Sequence, residues 1–200
     1  NGIQVSKSYT YNEHILEGVK NRTLVGKIIT QLGNDYPEID AIDLIKDIDI
    51  TNNGLADIPL RHRTSRIKEY YRYHQEKLIC ISFHSNGFHK ESAAGFEVIY
   101  DHKNHIDIKI KSRIKSLAET FDSNMRLKWG KSRSRSMKRG VSGGYYNFAM
   151  CMQKCPSIIV EDFFMTNYED FTDLIDDSFL DQVCDCHVCT IVEINQNNDL

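Results

Sequence analysis

Ile79-Cys80-Ile81-Ser82-Phe83-His84-Ser85-Asn86-Gly87 is a short apolar run that ends abruptly on a histidine, an asparagine and a glycine. Pro156-Ser157-Ile158-Ile159-Val160-Glu161 has the same grammar and ends on a carboxylate. Apolar runs of this length, closed by turn residues, read as strands buried on both faces of an α/β sheet. In open α/β sheets, ligands and chemistry gather in the crevice beyond the carboxyl ends of the strands. A metal-type ligand at one strand end and a carboxylate at another point to one site assembled from distant parts of the chain.

Working outward, Leu24, Val25, Ile28, Ile29 and Leu32 share a helical stripe closed by Gly33 and Asn34, which predicts a helix over residues 16–32. Residues 41–50 alternate well enough for a strand, turned by Asn52, Asn53 and Gly54. Pro59 suits the first turn of a helix over 59–75. A strand at 78–83 leads into a loop at 85–93 and a strand at 95–100. Ile110, Ile114, Leu117, Ala118 and Phe121 mark the next helix, and 128–144 reads as a long loop of little apolar content. A strand at 157–160 precedes a polar turn and a helix over 168–180. Strands alternating with helices predict α/β: a mixed, largely parallel twisted sheet flanked by helices in three layers.

Two hundred residues suffice for one domain with a proper core. The net charge of -3 argues against wholesale nucleic-acid binding, yet the charge is unevenly placed. Residues 103–139 are markedly basic, whereas 161–185 hold nine acidic residues and no Lys or Arg. Such asymmetry marks either a polyanion-facing loop or, more commonly, two solvated faces of opposite sign. No run of about 18 apolar residues exists, so no membrane span is expected. No secretory signal is recognisable, and the chain opens on Asn1 without a methionine, so residues upstream are expected.

His84-Ser85-Asn86-Gly87, followed by Ala94-Gly95-Phe96-Glu97-Val98-Ile99-Tyr100, resembles the histidine-asparagine loop and next strand of zinc-dependent N-acetylmuramoyl-L-alanine amidases, the cell-wall hydrolases of bacteria and their phages. The run from Pro156 through Glu161 to Asn167 and Asp170 is similar to that family's last strand, catalytic glutamate and phenylalanine-asparagine turn. Leu16-Glu17-Gly18-Val19-Lys20-Asn21-Arg22 resembles the helix start with the metal-binding glutamate, and Leu60-Arg61-His62-Arg63-Thr64 the helix opening before the histidine strand. The likeness covers residues 16–180 in order; the two strand-end motifs are its specific part.

The resemblance implies an amidase-like domain over residues 1–180, followed by a Cys-rich C-terminal segment and tail over 181–200. It implies a zinc ion held by two histidines and a glutamate with a position left for water, the open arrangement of a catalytic zinc. Carried over, Glu17 and His84 are metal ligands, Glu161 is the acid/base and Asn86 binds substrate. The substrate is peptidoglycan, cut at the amide joining muramic acid to L-alanine. The expected place of action is the bacterial cell wall, outside the cytoplasm where the protein is made, as for a phage-encoded lysin. One departure is plain: the family's first strand and first histidine have no counterpart in residues 1–11. An upstream segment, or a virion partner completing the sheet, is expected to supply them; without them residues 1–200 are expected to hold zinc weakly and to be inactive.

Other readings compete. A non-catalytic amidase-fold component of a phage particle, structural or glycan-binding, would need no first histidine. His14 and Glu17 share the HxxE spacing of zinc carboxypeptidases, so His14 is a substitute ligand in a carboxypeptidase-like reading with Glu17 and His84. By default His14 is a solvated histidine, Glu17 a first-turn glutamate favoured by the helix dipole, and Glu161 a turn cap. For the run Cys184, Cys186, His187 and Cys189, three readings stand: a second, structural zinc, reduced thiols, or disulfides. The basic run 126–139 with Trp129 reads as a solvated loop near the substrate groove, with anionic wall polymer or a virion partner as the alternative contact.

Overall fold

The run 158–160 becomes the centre of the sheet. A computed structural model describes residues 17–45, 60–74, 77–100, 108–130, 133–134 and 155–197. Its elements are α1 (Glu17–Asp35), α2 (Leu60–His74), β1 (Cys80–Asn86), β2 (Glu97–Ile99), α3 (Ile108–Trp129), β3 (Ser157–Phe164), α4 (Tyr168–Ile175) and α5 (Asp177–Gln196). The sheet order is β1-β3-β2, with β1 parallel and β2 antiparallel to β3, so the expected mixed sheet flanked by helices is what forms. Every residue of β3 is buried except Glu161.

Strand alternation divides the sheet into two faces. Ile81, Phe83, Ile158, Val160 and Val98 join the main core with Leu24, Ile28 and Leu32 of α1, Ile114, Phe121 and Met125 of α3, and Val183, Val188 and Ile191 of α5. On the opposite face Cys80 and Cys155 pack with Ile67 of α2 in a smaller cluster. Ser82, His84 and Glu161 alternate onto this second face, beside α2. Lys20 pairs with Asp177 at 3.6 Å and Lys27 with Asp181 at 2.6 Å, tying α1 to α5 at the surface, where such pairs contribute little.

Several boundaries differ from expectation. α1 runs through Gly33 and Asn34 to Asp35, because the chain beyond stays helical enough for the Tyr36 N–H to reach the Leu32 carbonyl at 2.8 Å. Residues 41–45 form no strand: Asp43 accepts the Ile45 N–H at 2.8 Å, and Arg66 donates to the Leu44 carbonyl at 2.7 Å, so side chains satisfy the backbone locally. Residues 46–50, Asn52, Asn53, Gly54 and Pro59 lie outside the described residues. β1 continues to Asn86 instead of stopping before a loop at 85, and β2 is only three residues long.

The largest correction is at the C-terminal end. The helix expected over 168–180 breaks at Asp176, which is extended (φ -81, ψ 120) and accepts the Ser178 N–H, starting a new helix. Residues 181–196, expected as a segment and tail beyond the domain, continue α5, and eleven residues of that helix are buried. They are core. The cysteines there are free: Cys184 and Cys186 are buried, Cys189 is exposed, and no group of three metal-type side chains converges among the described residues. Burial pushes the Cys184 thiol up to about 11 and the Cys186 thiol to about 12, which favours the protonated thiol at both positions.

The basic and acidic segments meet. Asp170 of α4 is buried and accepts hydrogen bonds from the Gly95 N–H at 2.6 Å, the Phe164 N–H at 3.0 Å and the Arg133 guanidinium at 2.5 Å. Arg133 also pairs with Asp173 at 2.8 Å and lies over the Phe163 ring, 4.6 Å from its centroid. Buried Asp122 accepts from Arg126 and from the Ser134 hydroxyl. Gly95 has φ +90, and a Cβ there would lie 1.9 Å from the Arg133 carbonyl oxygen, so only glycine fits. Asp170→Ala should therefore cost about 3–5 kcal/mol, since it leaves a half-buried guanidinium short of a partner and two backbone N–H groups unmet. Urea denaturation measures this, with exposed Glu169→Ala expected to stay within about 0.5 kcal/mol of the parent; equal effects would contradict the role of Asp170.

Candidate active site

Three elements bring the site together. β1 delivers His84 near its carboxyl end, β3 delivers Glu161, and the first residue of α1 is Glu17. His84 and Glu161 are register partners in the parallel β1–β3 ladder, and Glu97 of β2 is the register partner of Glu161 from the other side. Register partners stand side by side on one face, so His84, Glu161 and Glu97 form a row across the sheet. Glu17 reaches that row round the edge of β1: its Oε1 lies 3.2 Å from His84 Nδ1.

Neighbours hold this pair. The Ser82 hydroxyl lies 2.9 Å from His84 Nε2, fixing the ring with Nδ1 towards Glu17. Asn21, one turn after Glu17, donates to Glu17 Oε1 at 3.4 Å and accepts from the buried Ser85 hydroxyl at 3.2 Å. Burial works against a charge on His84, but the Glu17 hydrogen bond and the charges of Glu161 and Glu17 outweigh it and raise its pKa; Arg63 of α2 opposes them. Glu161 is pushed up to about 7, first by burial, against the pull of His84, with Glu17, Asp162 and Glu97 adding to the rise. A carboxyl near 7 can both take and give a proton at neutral pH.

The pair fits a metal ion. Tetrahedral zinc bonds of ~2.0–2.1 Å separate two ligand atoms by about 3.3 Å, close to the 3.2 Å between Glu17 Oε1 and His84 Nδ1. The Ser82 hydroxyl can accept from an Nε2–H, which leaves Nδ1 unprotonated for a cation. A third donor is not among the described residues, and His14 lies outside them.

Asn86, expected to bind substrate, turns its Oδ1 to the Gly87 N–H at 2.8 Å and closes its own turn, while its carbonyl takes the Met165 N–H at 2.9 Å. Ser82, Asn21, Ser85 and Glu97 were not singled out by sequence. The legible signals were spacing alone: i-2 from His84 for Ser82, and i+4 from Glu17 for Asn21.

A family model described as N-acetylmuramoyl-L-alanine amidase matches residues 8–192. The chain belongs to this family. The matched region runs beyond 180 and takes in most of α5, in keeping with that helix's place in the core. Among solved structures, the chain is similar to the catalytic domain of the amidase CwlV from Bacillus (Paenibacillus) polymyxa var. colistinus, with 16% identity, TM-score 0.68, and 98% of this chain and 93% of that one covered. It is also similar to the amidase AmiC2 of Nostoc punctiforme, with 18% identity, TM-score 0.68 and 98% and 92% covered. Ami1 from Mycobacterium smegmatis gives 13% identity, TM-score 0.70 and 96% and 87% covered. At these identities the likeness is one of fold. No protein of curated function matches.

The raised Glu161 pKa has a stability signature in the metal-free protein. An unfolded glutamate titrates near 4.5, so between about 4.5 and 7 the native state keeps a proton that the unfolded chain has lost. Above about 7 the native state carries a disfavoured charge. Glu161→Gln removes that cost: in EDTA its urea midpoint should exceed the parent's at pH 8, and the gap should close as pH falls to about 4.5. A gap that does not change with pH would contradict the assigned environment.

Proposed function

We propose that the protein is a zinc-dependent peptidoglycan hydrolase that cuts the amide between N-acetylmuramic acid and L-alanine, with Glu17 and His84 as metal ligands and Glu161 as acid/base. The observation that carries this reading is the 3.2 Å approach of Glu17 Oε1 to His84 Nδ1, with Glu161 beside His84 in register, in a chain of the amidase family. Zinc, when bound, polarises a carbonyl and acidifies water.

The chain's own groups do the rest. Glu161 is the one residue of an otherwise buried strand that keeps partial exposure. It takes a proton from the attacking water and delivers it to the amine nitrogen as the C–N bond breaks, a cycle that returns the carboxyl to its starting state. Burial, with Glu97 beside it, favours the protonated carboxyl needed for the second half of that cycle. Ser82 and Asn21 orient His84 and Glu17. Asn86 would present its amide to substrate from the turn after His84.

Separating binding from chemistry tests the assignment. In the full-length protein with its metal site complete, Glu161→Gln should keep zinc and the fold while wall hydrolysis falls by about 10²-fold or more. His84→Ala should lose the metal, read as zinc per protein after gel filtration. Undiminished hydrolysis in Glu161→Gln, or full zinc in His84→Ala, would overturn these roles.

A further inference from the structure

Glu161 is followed by a second carboxylate, Asp162, and backbone pairing alone does not decide which of the two faces His84. The β1–β3 register goes from His84↔Glu161 to Asn86↔Phe164, three steps on β3 against two on β1, so the irregularity falls immediately after Glu161. Phe163, inside it, has φ 63, a left-handed conformation that a phenylalanine rarely adopts. Slipping a strand by one residue exchanges its two faces. Here such a slip would set Asp162 beside His84 and turn Glu161 into the core.

A group on the far side of the sheet opposes that slip. His187 of α5 is fully buried, and its Nε2 lies 3.0 Å from both carboxylate oxygens of Asp162, itself 2% exposed. The imidazole packs against Phe83, the residue before His84, with ring centroids 4.8 Å apart, and against Phe121 of α3 at 5.7 Å. His187 therefore touches the neighbour of each of the two strand-borne site residues from beneath. Its Nδ1 is buried with no hydrogen-bond partner among the described residues. A doubly protonated ring would bury an unmet N–H, so the ring that fits is neutral, with its one proton on Nε2 donated to Asp162.

We propose that His187 is a positioning residue: by holding Asp162 on the helix side of β3, it selects Glu161 as the carboxylate that faces His84. This rests on the reading of Glu161 as the acid/base, but the selection can be observed without hydrolysis or metal. Losing the bond would strand a buried carboxylate, and a slip that frees Asp162 would relieve it.

The test is ¹⁵N NMR of the imidazoles in the full chain in EDTA, with signals assigned by H84Q and H187Q. In the unaltered protein the His187 Nδ1 should resonate as a bare nitrogen and Nε2 as a protonated one, and E161Q should shift the His84 signals. The same E161Q shift should persist in an H187Q background, whose amide can still donate to Asp162, and be lost in H187M and H187L, which cannot. An undiminished E161Q shift in H187M or H187L would overturn the proposal, as would a proton on Nδ1 of His187 in the unaltered protein, which needs no variant to fold. His84 signals that ignore E161Q in the unaltered protein would remove the site reading and the proposal together. Loss of the shift only in the backgrounds without the donor would leave the site standing and assign the selection to His187.

Discussion

The parallel pairing of β1 with β3 is the constraint from which the site follows. It puts the end of one buried strand beside the end of another, so a histidine and a glutamate 77 positions apart in the chain become register partners. The apolar residues favour this pairing: Phe83 and Val160 enter the core, and His84 and Glu161 then fall on the other side. Burial on one face thus helps to set which side chains stand on the opposite face. Glu17 joins from α1 because that helix packs its Leu24, Ile28 and Leu32 stripe into the same core, which leaves its first residue at the edge of β1.

The second theme is the use of buried carboxylates. Asp170, Asp122 and Asp162 are nearly inaccessible, and each has a specific partner: Arg133, Arg126 with Ser134, and His187. Buried charges persist only when paired, so these three act as fasteners for irregular backbone. Asp170 ties the loop before β2, the end of β3 and Arg133 together, around the left-handed Phe163. Glu161 differs: it is the one residue of β3 that is not fully buried, and burial together with mostly carboxylate neighbours holds its proton affinity high, the kind of perturbation found at functional sites.

Both strands of the site were legible in the sequence, because a short apolar run closed by turn residues has few other uses. Their place at the ends of those runs marked His84 and Glu161 as candidates, while the ligand and acid/base roles proposed for them, like that of Glu17, came from the family resemblance. α5 was not legible beyond its first turn. Although Asp181, Asp185, Cys189 and Glu193 mark an exposed face, its buried face is wide and carries Cys184, Cys186, His187 and Thr190 among the apolar residues, which blurs the apolar stripe by which a helix is recognised. The same cysteines suggested metal chemistry, yet they face the core from one helix instead of converging on a point. The acidic and basic segments read as separate faces because sequence cannot reveal that Arg133 reaches Asp170 and Asp173, 37 and 40 positions on. Asp176 hid a helix break, since an aspartate can end one helix and cap the next.

The decisive property of the site is which bond it breaks. Purified peptidoglycan treated with the zinc-loaded full-length protein should release new N-terminal L-alanine, detected by end-group labelling, with no rise in reducing sugar ends. The labelled alanine should track the loss of wall turbidity. New reducing ends without free L-alanine amino groups would mean cleavage between sugars, and new amino termini on other residues of the stem peptide would mean a peptidase; either result would contradict the assignment of this site.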